Sequence, residues 1–263
     1  MVCGKNMIFR KVGSALNLLG KILRRWIIGV RNHGYLLRRI ESQLVNLNAI
    51  EEMEKLISIG GRWEVPQPYR SSCSFEKEFL ASAELVDWLD NFVFEYGINT
   101  YLEMERPYFR CIQYWHDKPL VNQSSPIETQ YYHVDGDADG NVKIFLLLHE
   151  TSFMNGPTQA IQPSSLNVVS ILRLPIRKKV FGRISDDDLE ELNLGNSIIS
   201  HIGVRGDILL ADTSSIYHRG LSPNEERKII MIQFTDHNIH VPMDYTAGCL
   251  LAKPPKHFML YAR

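Results

Sequence analysis

The sequence has no run of apolar residues long enough to cross a membrane, which takes roughly 18 or more in a row. The short apolar stretches near its start are interrupted by Lys21, Arg24 and Arg25, which does not fit the continuous apolar segment of a signal peptide. Internal repeats and low-complexity tracts are also missing. These absences argue against a membrane-spanning, secreted or repeat protein, and we expect a globular, cytoplasmic protein.

Cysteine is scarce in this sequence. The 263 residues contain four cysteines, at positions 3, 73, 111 and 249, and no two of them have the close spacing of a zinc knuckle. Such scattered cysteines also do not form the framework of a small, disulfide-stapled domain. We therefore expect free thiols and a reducing compartment.

Acidic residues are missing from the first 40 positions, which contain nine Lys and Arg, whereas the rest of the chain carries 20 basic and 30 acidic side chains. Between residues 7 and 30 the apolar residues recur at steps of three or four, which predicts a basic amphipathic helix. Such a segment can lie on an anionic membrane surface, act as a transit peptide, or dock its apolar stripe on the protein body. Peripheral membrane contact through residues 7–30 is therefore one of three open alternatives.

Two further stretches show the periodicity of helices. One covers residues 35–56 and is followed by Gly60, and the other covers residues 75–96 and is followed by Gly97. Ser185 and Asp188 have the spacing of a helix-capping pair and predict a short helix there.

After Gly97 the pattern changes to short β-rich runs separated by Gly, Pro, Asn and Asp. The predicted strands cover residues 108–115, 127–134, 142–149, 158–162, 197–202, 207–211 and 228–235. Many short strands with such turns indicate a sandwich, a jelly roll or a barrel. We expect a helical, basic N-terminal extension over residues 1–60 and a β domain with its supporting helix over residues 61–263.

His133 and Asp135 form a His-x-Asp triplet at the end of a predicted strand. Alternate residues of a strand point to the same face, so both side chains can reach one metal ion while Val134 points away. A third ligand must then come from a segment distant in sequence. Two histidines and one carboxylate leave open positions on an iron ion, which is the arrangement of oxygen-activating Fe(II) enzymes.

Several segments in one order resemble the phytanoyl-CoA dioxygenase family of Fe(II)- and 2-oxoglutarate-dependent oxygenases, over roughly residues 108–234. They are His133-Val134-Asp135, the strand from Lys143 to Leu148, Asn155-Gly156-Pro157, Ile161-Gln162-Pro163-Ser164, Gly206-Asp207, His218-Arg219-Gly220, and Asn224 through Arg227-Lys228-Ile229-Ile230. This order is similar to the family's first ligand pair, Gly-Pro turn, distal histidine and oxoglutarate arginine.

The resemblance implies a double-stranded β-helix (jelly roll, cupin-like) core with flanking helices. It implies that His133, Asp135 and His218 hold Fe(II) and form the catalytic centre, and that Arg227, with Lys143 as a second candidate, binds the cosubstrate 2-oxoglutarate. With O2 as the other cosubstrate, the expected activity is a dioxygenase that hydroxylates or otherwise oxidises an unactivated C–H bond of a small-molecule or lipid-like substrate. A nucleic-acid partner is not expected.

The sequence departs from the family at three points. Pro163-Ser164-Ser165-Leu166 stands where the family often has Pro-Gly-Ser-His. Gly220 stands where a hydroxyl residue often follows the distal histidine by two positions. The interval from His218 to Arg227 is slightly short, so the departures concern cosubstrate binding more than the metal ligands.

Other interpretations stay open. Residues 135–140 match the first half of a calcium loop, but its twelfth position is Leu146 instead of a glutamate, and the flanks are predicted strands. The chain could also be a noncatalytic β-helix module targeted by its basic N-terminus, or a cupin-like metalloenzyme that does not use 2-oxoglutarate.

Overall fold

The structure is a computed structural model. It describes residues 36–42, 45–64, 69–120, 126, 128–135, 140–162 and 183–236. The basic segment at 7–30, Asp137 and Asp139 of the calcium-like stretch, and the Pro163 to Leu166 stretch lie outside the described residues.

Seven strands form one antiparallel sheet in the order β1-β8-β5-β10-β4-β3-β2. Their bounds are β1 Leu37–Ile40, β2 Arg62–Trp63, β3 Arg70–Ser74, β4 Tyr108–Asp117, β5 Asn141–Leu147, β8 Ile208–Asp212 and β10 Arg227–Thr235. A second antiparallel sheet has the order β7-β6-β9. It consists of β6 Thr158–Ile161, β7 Ile198–Ser200 and β9 His218–Gly220.

Alternation along the central strands gives the large sheet two different faces. Ile144 and Leu146 of β5 join a core with the helices, whereas Phe145 and Leu147 join a separate apolar cluster on the opposite face. In β10 the even-numbered Ile230 likewise packs with the helices and the odd-numbered neighbours pack on the other side. The side chains of successive strand residues point to opposite faces, so one sheet serves both a helix-covered core and a second interior.

Helices cover the first of these faces. They are α1 Leu47–Gly60, α2 Glu76–Ala81, α3 Ala83–Glu95 and α4 Ile98–Tyr101, and a further short helix, α5 Asp186–Glu191, lies near the small sheet's cluster. The predicted capping pair is present at α5, where both Ser185 N and Ser185 Oγ donate to Asp188 Oδ2. The Asp188 carboxylate thereby satisfies the backbone N–H of the residue at the helix start.

The helix predicted over residues 35–56 is wrong in its first part. Residues 37–40 form β1, which pairs antiparallel with β8, and the helix begins only at Leu47. Leu36 and Ile40 are both buried and lie four residues apart, a spacing that also fits a helix, so the pattern alone could not separate the two structures. Residues 36–60 pack with the strands in one core, while residues 1–35 lie outside the described part.

Two other predicted elements need correction. The helix predicted over 75–96 is interrupted at Ser82, whose hydroxyl accepts a hydrogen bond from Leu85 N and caps α3. The strand predicted over 127–134 is instead a 3₁₀ turn, Glu128–Gln130, followed by isolated bridges from Tyr132 to Ile184 and from His133 to His218. The strands predicted near β4, β5, β6, β7, β8 and β10 are confirmed within a few residues at each end.

Two further expectations concern thiols and membranes. Cys73 and Cys111 are buried thiols that form no disulfide within the described part of the chain, and burial raises the pKa of Cys73 to about 11. Among the described residues no helix has the length and apolar character needed to cross a membrane.

The buried side chain of Glu76 should make the free energy of unfolding depend on pH. The side chain is buried at the start of α2, and burial raises its pKa to about 7. Because the folded-state pKa lies above the ordinary value of 4.5, the stabilisation is complete below pH 4.5 and is lost as pH rises through about 7. At about 1.4 kcal/mol per pKa unit, we expect Glu76→Gln to gain about 2 kcal/mol relative to wild type between pH 5.5 and pH 8.

Urea denaturation of both proteins at each pH measures this difference. Because both proteins contain the same histidines, the contribution of the histidines to the free energy of unfolding cancels in the difference. A constant difference across the range would contradict a protonated Glu76 in the folded protein.

Candidate metal centre

Three predicted side chains converge at one point of the structure. His133, Asp135 and His218 each present a ligand atom, and these atoms lie within 4.8 Å of one another. His133 Nε2 is 3.7 Å from Asp135 Oδ1, and His218 Nε2 is 3.8 Å from Asp135 Oδ2. Two ligands bonded to one ion at roughly 2.0–2.2 Å each lie up to about 4 Å apart, so these separations suit a shared metal ion.

Backbone pairing brings the two histidines together. His133 N donates to His218 O at 3.0 Å, and His218 N donates to His133 O at 2.9 Å, in an isolated antiparallel bridge. The ring centroids are 4.5 Å apart. The segment before β5 is thus attached to β9, 85 positions further along the sequence, at the residues that carry the ligands.

Hydrogen bonds fix which nitrogen of each ring faces the cluster. Nδ1 of His133 is 2.9 Å from Tyr131 O, and Nδ1 of His218 is 3.0 Å from Ile216 O. A carbonyl oxygen can only accept, so Nδ1 carries the hydrogen and Nε2 keeps a free electron pair. Burial lowers the pKa of His133 and lowers the pKa of His218 to about 3, so both rings are neutral near pH 7.

Asp135 is held by three contacts. Its backbone N donates to Thr213 O at 2.8 Å, Lys143 Nζ lies 2.7 Å from Oδ2, and Asn141 Nδ2 lies 3.4 Å from Oδ2. Burial raises the pKa of Asp135, but the charge of Lys143, His218 and the hydrogen bonds from Lys143 and Thr213 together outweigh burial, and the pKa falls well below its ordinary value. The centre therefore combines two neutral imidazoles with one ionised carboxylate.

A cavity of about 200 Å³ opens on this cluster. Its wall consists of Arg70, Trp115, Thr129, His133, Asp135, Lys143, Phe145, Thr158, His218, Arg219, Gly220 and Arg227. Four of these side chains are Lys or Arg and one is Asp, so the wall favours an anionic ligand.

Two arginines of this wall, Arg70 and Arg227, belong to a buried ion cluster. Asp117 Oδ1 accepts from Arg70 Nε at 2.6 Å, and Asp117 Oδ2 accepts from Arg70 Nη2 at 3.0 Å and from Arg227 Nε at 3.1 Å. Arg227 also donates from Nη2 to Asp117 and from Nη1 to Gly156 O. Burial would raise the pKa of Asp117, but Arg227 and Arg70 together lower it to about 2.

Two arginines of the wall stack on aromatic rings. The guanidinium carbon of Arg70 lies 3.9 Å from the ring centroid of Trp115, and that of Arg219 lies 4.2 Å from the centroid of Tyr132. Arg219 also donates to Gln159 Oε1 at 2.9 Å and to Asp186 Oδ2 at 3.0 Å. Stacking and paired hydrogen bonds hold these guanidinium groups in place.

All five residues predicted for the site line this cavity. The structure places Lys143 against Asp135 and Arg227 against Asp117. Arg70 and Arg219 of the wall were not predicted from the sequence, nor was Asp117, which pairs with Arg70 and Arg227. An alternation signal for β3 could have found Arg70, but its sequence RSSCS is mostly small and polar, so the strand gives no such signal.

The calcium interpretation fits the structure poorly. Leu146, the twelfth position of the calcium-like loop, lies inside β5 and is fully buried in the helix-covered core. A calcium loop of this kind has an oxygen ligand at its twelfth position, and the loop itself lies between two helices.

Solved structures with similar folds were found. The epimerase SnoN, determined in complex with Fe³⁺, alpha ketoglutarate and nogalamycin RO, aligns with a TM-score of 0.53 at 11% identity, over 92% of this chain and 94% of SnoN. HygX from Streptomyces hygroscopicus, determined with nickel and 2-oxoglutarate bound, aligns with a TM-score of 0.50 at 11% identity, over 78% of this chain and 86% of HygX. No protein-family model and no curated protein sequence matches the chain.

At such identities the likeness establishes the fold. The predicted class, a mainly β protein with a jelly-roll, cupin-like core and flanking helices, is confirmed. The resemblance to the phytanoyl-CoA dioxygenase family stays a prediction.

Replacing Asp117 should lower the stability of the protein strongly. Asp117→Asn removes the negative charge shared by two buried guanidinium groups, so we expect a loss of about 3–5 kcal/mol in the free energy of unfolding. The matched control is Asp186→Asn, because Asp186 also pairs with an arginine of the wall but its side chain is 57% exposed. Because water can reach the Asp186 carboxylate and replace much of the lost interaction, we expect a loss of about 1 kcal/mol or less.

Urea denaturation at pH 7 measures both losses. Equal, small losses in the two variants would show that the Asp117 cluster contributes no more to stability than an ion pair whose carboxylate is exposed.

Proposed function

We propose that this protein is an Fe(II)- and 2-oxoglutarate-dependent dioxygenase that oxidises an unactivated C–H bond of a small-molecule or lipid-like substrate. The observation that carries the proposal is the pairing of two neutral imidazoles and a carboxylate at one end of a cavity with a guanidinium-rich wall beside them. The fold supports it, since SnoN and HygX were determined with a metal and with alpha ketoglutarate or 2-oxoglutarate.

The donor set fits ferrous iron. His133, Asp135 and His218 would hold the ion through Nε2 atoms that are already free of protons and a carboxylate that is already ionised. Three protein ligands leave positions for a bidentate 2-oxo acid and dioxygen. Bound there, Fe(II) with its cosubstrates would supply the oxidant for the C–H bond.

The chain's own residues would position the cosubstrate. Arg227 would pair with the distal carboxylate of 2-oxoglutarate, because a guanidinium offers two parallel hydrogen bonds to a carboxylate. Lys143 is the second candidate, and its ammonium beside Asp135 would also balance negative charge near the metal. Trp115 and Phe145 provide apolar wall and keep water away from the centre.

Asp135 favours hydroxylation or a related oxidation. A halogenating relative would need a small residue at this position to leave a site for halide, and Asp135 instead directs a carboxylate at both histidines. A cytoplasmic location is a proposal that rests on sequence alone, and membrane contact through residues 7–30 stays one of the three alternatives for that segment.

One observation favours a cupin-like metalloenzyme that does not use 2-oxoglutarate. Each guanidinium nitrogen of Arg227 already has an acceptor, in Asp117 or in Gly156 O. Under this alternative Arg227 is structural, and metal-dependent activity survives Arg227→Ala.

Anaerobic titration of the purified protein with Fe(II) and then 2-oxoglutarate tests the proposal. We expect the weak visible charge-transfer band of a 2-oxo acid chelated to ferrous iron in wild type, and its loss in His218→Ala, because that variant lacks one of three ligands. The control is His149→Ala, since His149 accepts a hydrogen bond from Lys228 N and is not part of the cavity wall.

The band should persist in the control. Iron binding without the band would favour the cupin-like alternative, and absence of iron binding in wild type would refute the metal centre.

A further inference from the structure

We propose that Arg70 determines cosubstrate specificity: with Arg227 it forms a two-arginine receptor, bridged by Asp117, for the distal carboxylate of a 2-oxo diacid. This inference rests on the proposed function and extends it to a residue outside the region of family resemblance. The cavity brings Arg70, from β3, and Arg227, from β10, into one wall with the three candidate metal ligands.

The cluster has a net charge of one positive unit, which one bound anion would neutralise. Arg70 and Arg227 are two cations, and Asp117 is the carboxylate that both of them contact in the described part of the chain. The side chains of Arg70, Arg227 and Asp117 are 11%, 3% and 2% exposed, so solvent screens the remaining positive charge weakly. A buried, uncompensated charge is unfavourable, and one carboxylate entering from the cavity would neutralise the cluster.

The donors available to that carboxylate belong mainly to Arg70. Arg227 donates hydrogen bonds from Nε and Nη2 to Asp117 and from Nη1 to Gly156 O. Arg70 donates to Asp117 from Nε and Nη2 only, and its Nη1 donates to no residue that the structure describes. An arginine has five N–H donors in a rigid fork, so Arg70 can hold Asp117 and still donate to a second carboxylate.

The absence of a side chain at Gly220 leaves room for Arg227 against Asp117, but it also removes a hydroxyl that could hold the cosubstrate. A Cβ at this position would lie 3.0 Å from Arg227 Nη2, which is tighter than ordinary contact. The hydroxyl residue that the related enzymes often carry here would therefore crowd Arg227 in its present position. Gly220 lets Arg227 stay against Asp117, and the wall replaces the missing hydroxyl with Arg70 and with Thr129, whose Oγ1 lies 2.7 Å from Tyr69 OH.

Arg70 is held in place before any ligand arrives. Its strand pairs with β4 so that Arg70 lies directly opposite Asp117. Its guanidinium carbon lies over Trp115, 3.9 Å from the ring centroid, and the group makes two hydrogen bonds to one carboxylate. A preorganised donor loses little conformational entropy on binding, so it can contribute to affinity efficiently.

The experiment compares a diacid with a monoacid. Dissociation constants of 2-oxoglutarate and 2-oxobutyrate are measured by anaerobic calorimetry on the Fe(II)-loaded full-length protein. Both acids present the same metal-chelating end, and only 2-oxoglutarate has a distal carboxylate. Because hydrogen bonds to a charged group are lost, we expect Arg70→Gln to weaken 2-oxoglutarate binding about tenfold to hundredfold and to leave 2-oxobutyrate within about twofold.

Two further variants separate specificity from structure. Arg219→Gln removes another buried cation of the same wall, one that pairs with Asp186, and should leave the ratio of the two affinities unchanged. Arg70→Lys keeps the charge beside Asp117 but loses the fork, and we expect it to fold and to weaken 2-oxoglutarate binding selectively. It decides the question if Arg70→Gln does not fold.

The outcomes distinguish this inference from the proposed function. If wild type binds 2-oxoglutarate and the Arg70 variants keep the wild-type ratio, or weaken both acids equally, the receptor is refuted while the oxygenase proposal stands. If iron-loaded wild type binds neither acid, both are refuted.

Discussion

The buried carboxylate of Asp117 is the interaction on which the cavity depends. It connects β4, which carries it, to β3 through Arg70 and to β10 through Arg227. Without a carboxylate between them, two guanidinium groups would be buried side by side with no counter-charge, which costs several kcal/mol. The same ion cluster therefore holds three strands in register and leaves one net positive charge facing the proposed cosubstrate.

At the candidate metal centre, backbone pairing places the two histidines. The bridge between His133 and His218 fixes the distance between the rings, and carbonyl oxygens at Tyr131 and Ile216 fix the tautomers. Asp135 is fixed separately, through Thr213 and Lys143. Each ligand is thus oriented by protein contacts of its own, so the arrangement does not require an ion to assemble it.

The sequence predicted those parts of the fold in which local pattern and tertiary structure agree. The strands β4, β5 and β10 are rich in apolar and aromatic residues, and the His-x-Asp triplet with a distant histidine predicted three side chains that the structure brings together. β1 and β3 were missed, because Leu36 and Ile40 have helical spacing and RSSCS has almost no apolar signal. Both are strands because a neighbour, β8 or β4, offers unpaired backbone groups, which a single-sequence pattern does not contain.

Residue parity links the chemistry to the stability of the helical layer. In β5 the odd-numbered Lys143 and Phe145 line the cavity, while the even-numbered Ile144 and Leu146 pack under the helices. In β10 Arg227 faces the cavity and Ile230 faces the helices. A slip of one residue would exchange the two sets, burying Lys143 or Arg227 in an apolar core at a cost far above that of any single contact. The apolar core beneath the helices thereby fixes which side chains reach the proposed metal and cosubstrate, although none of its own residues touches either.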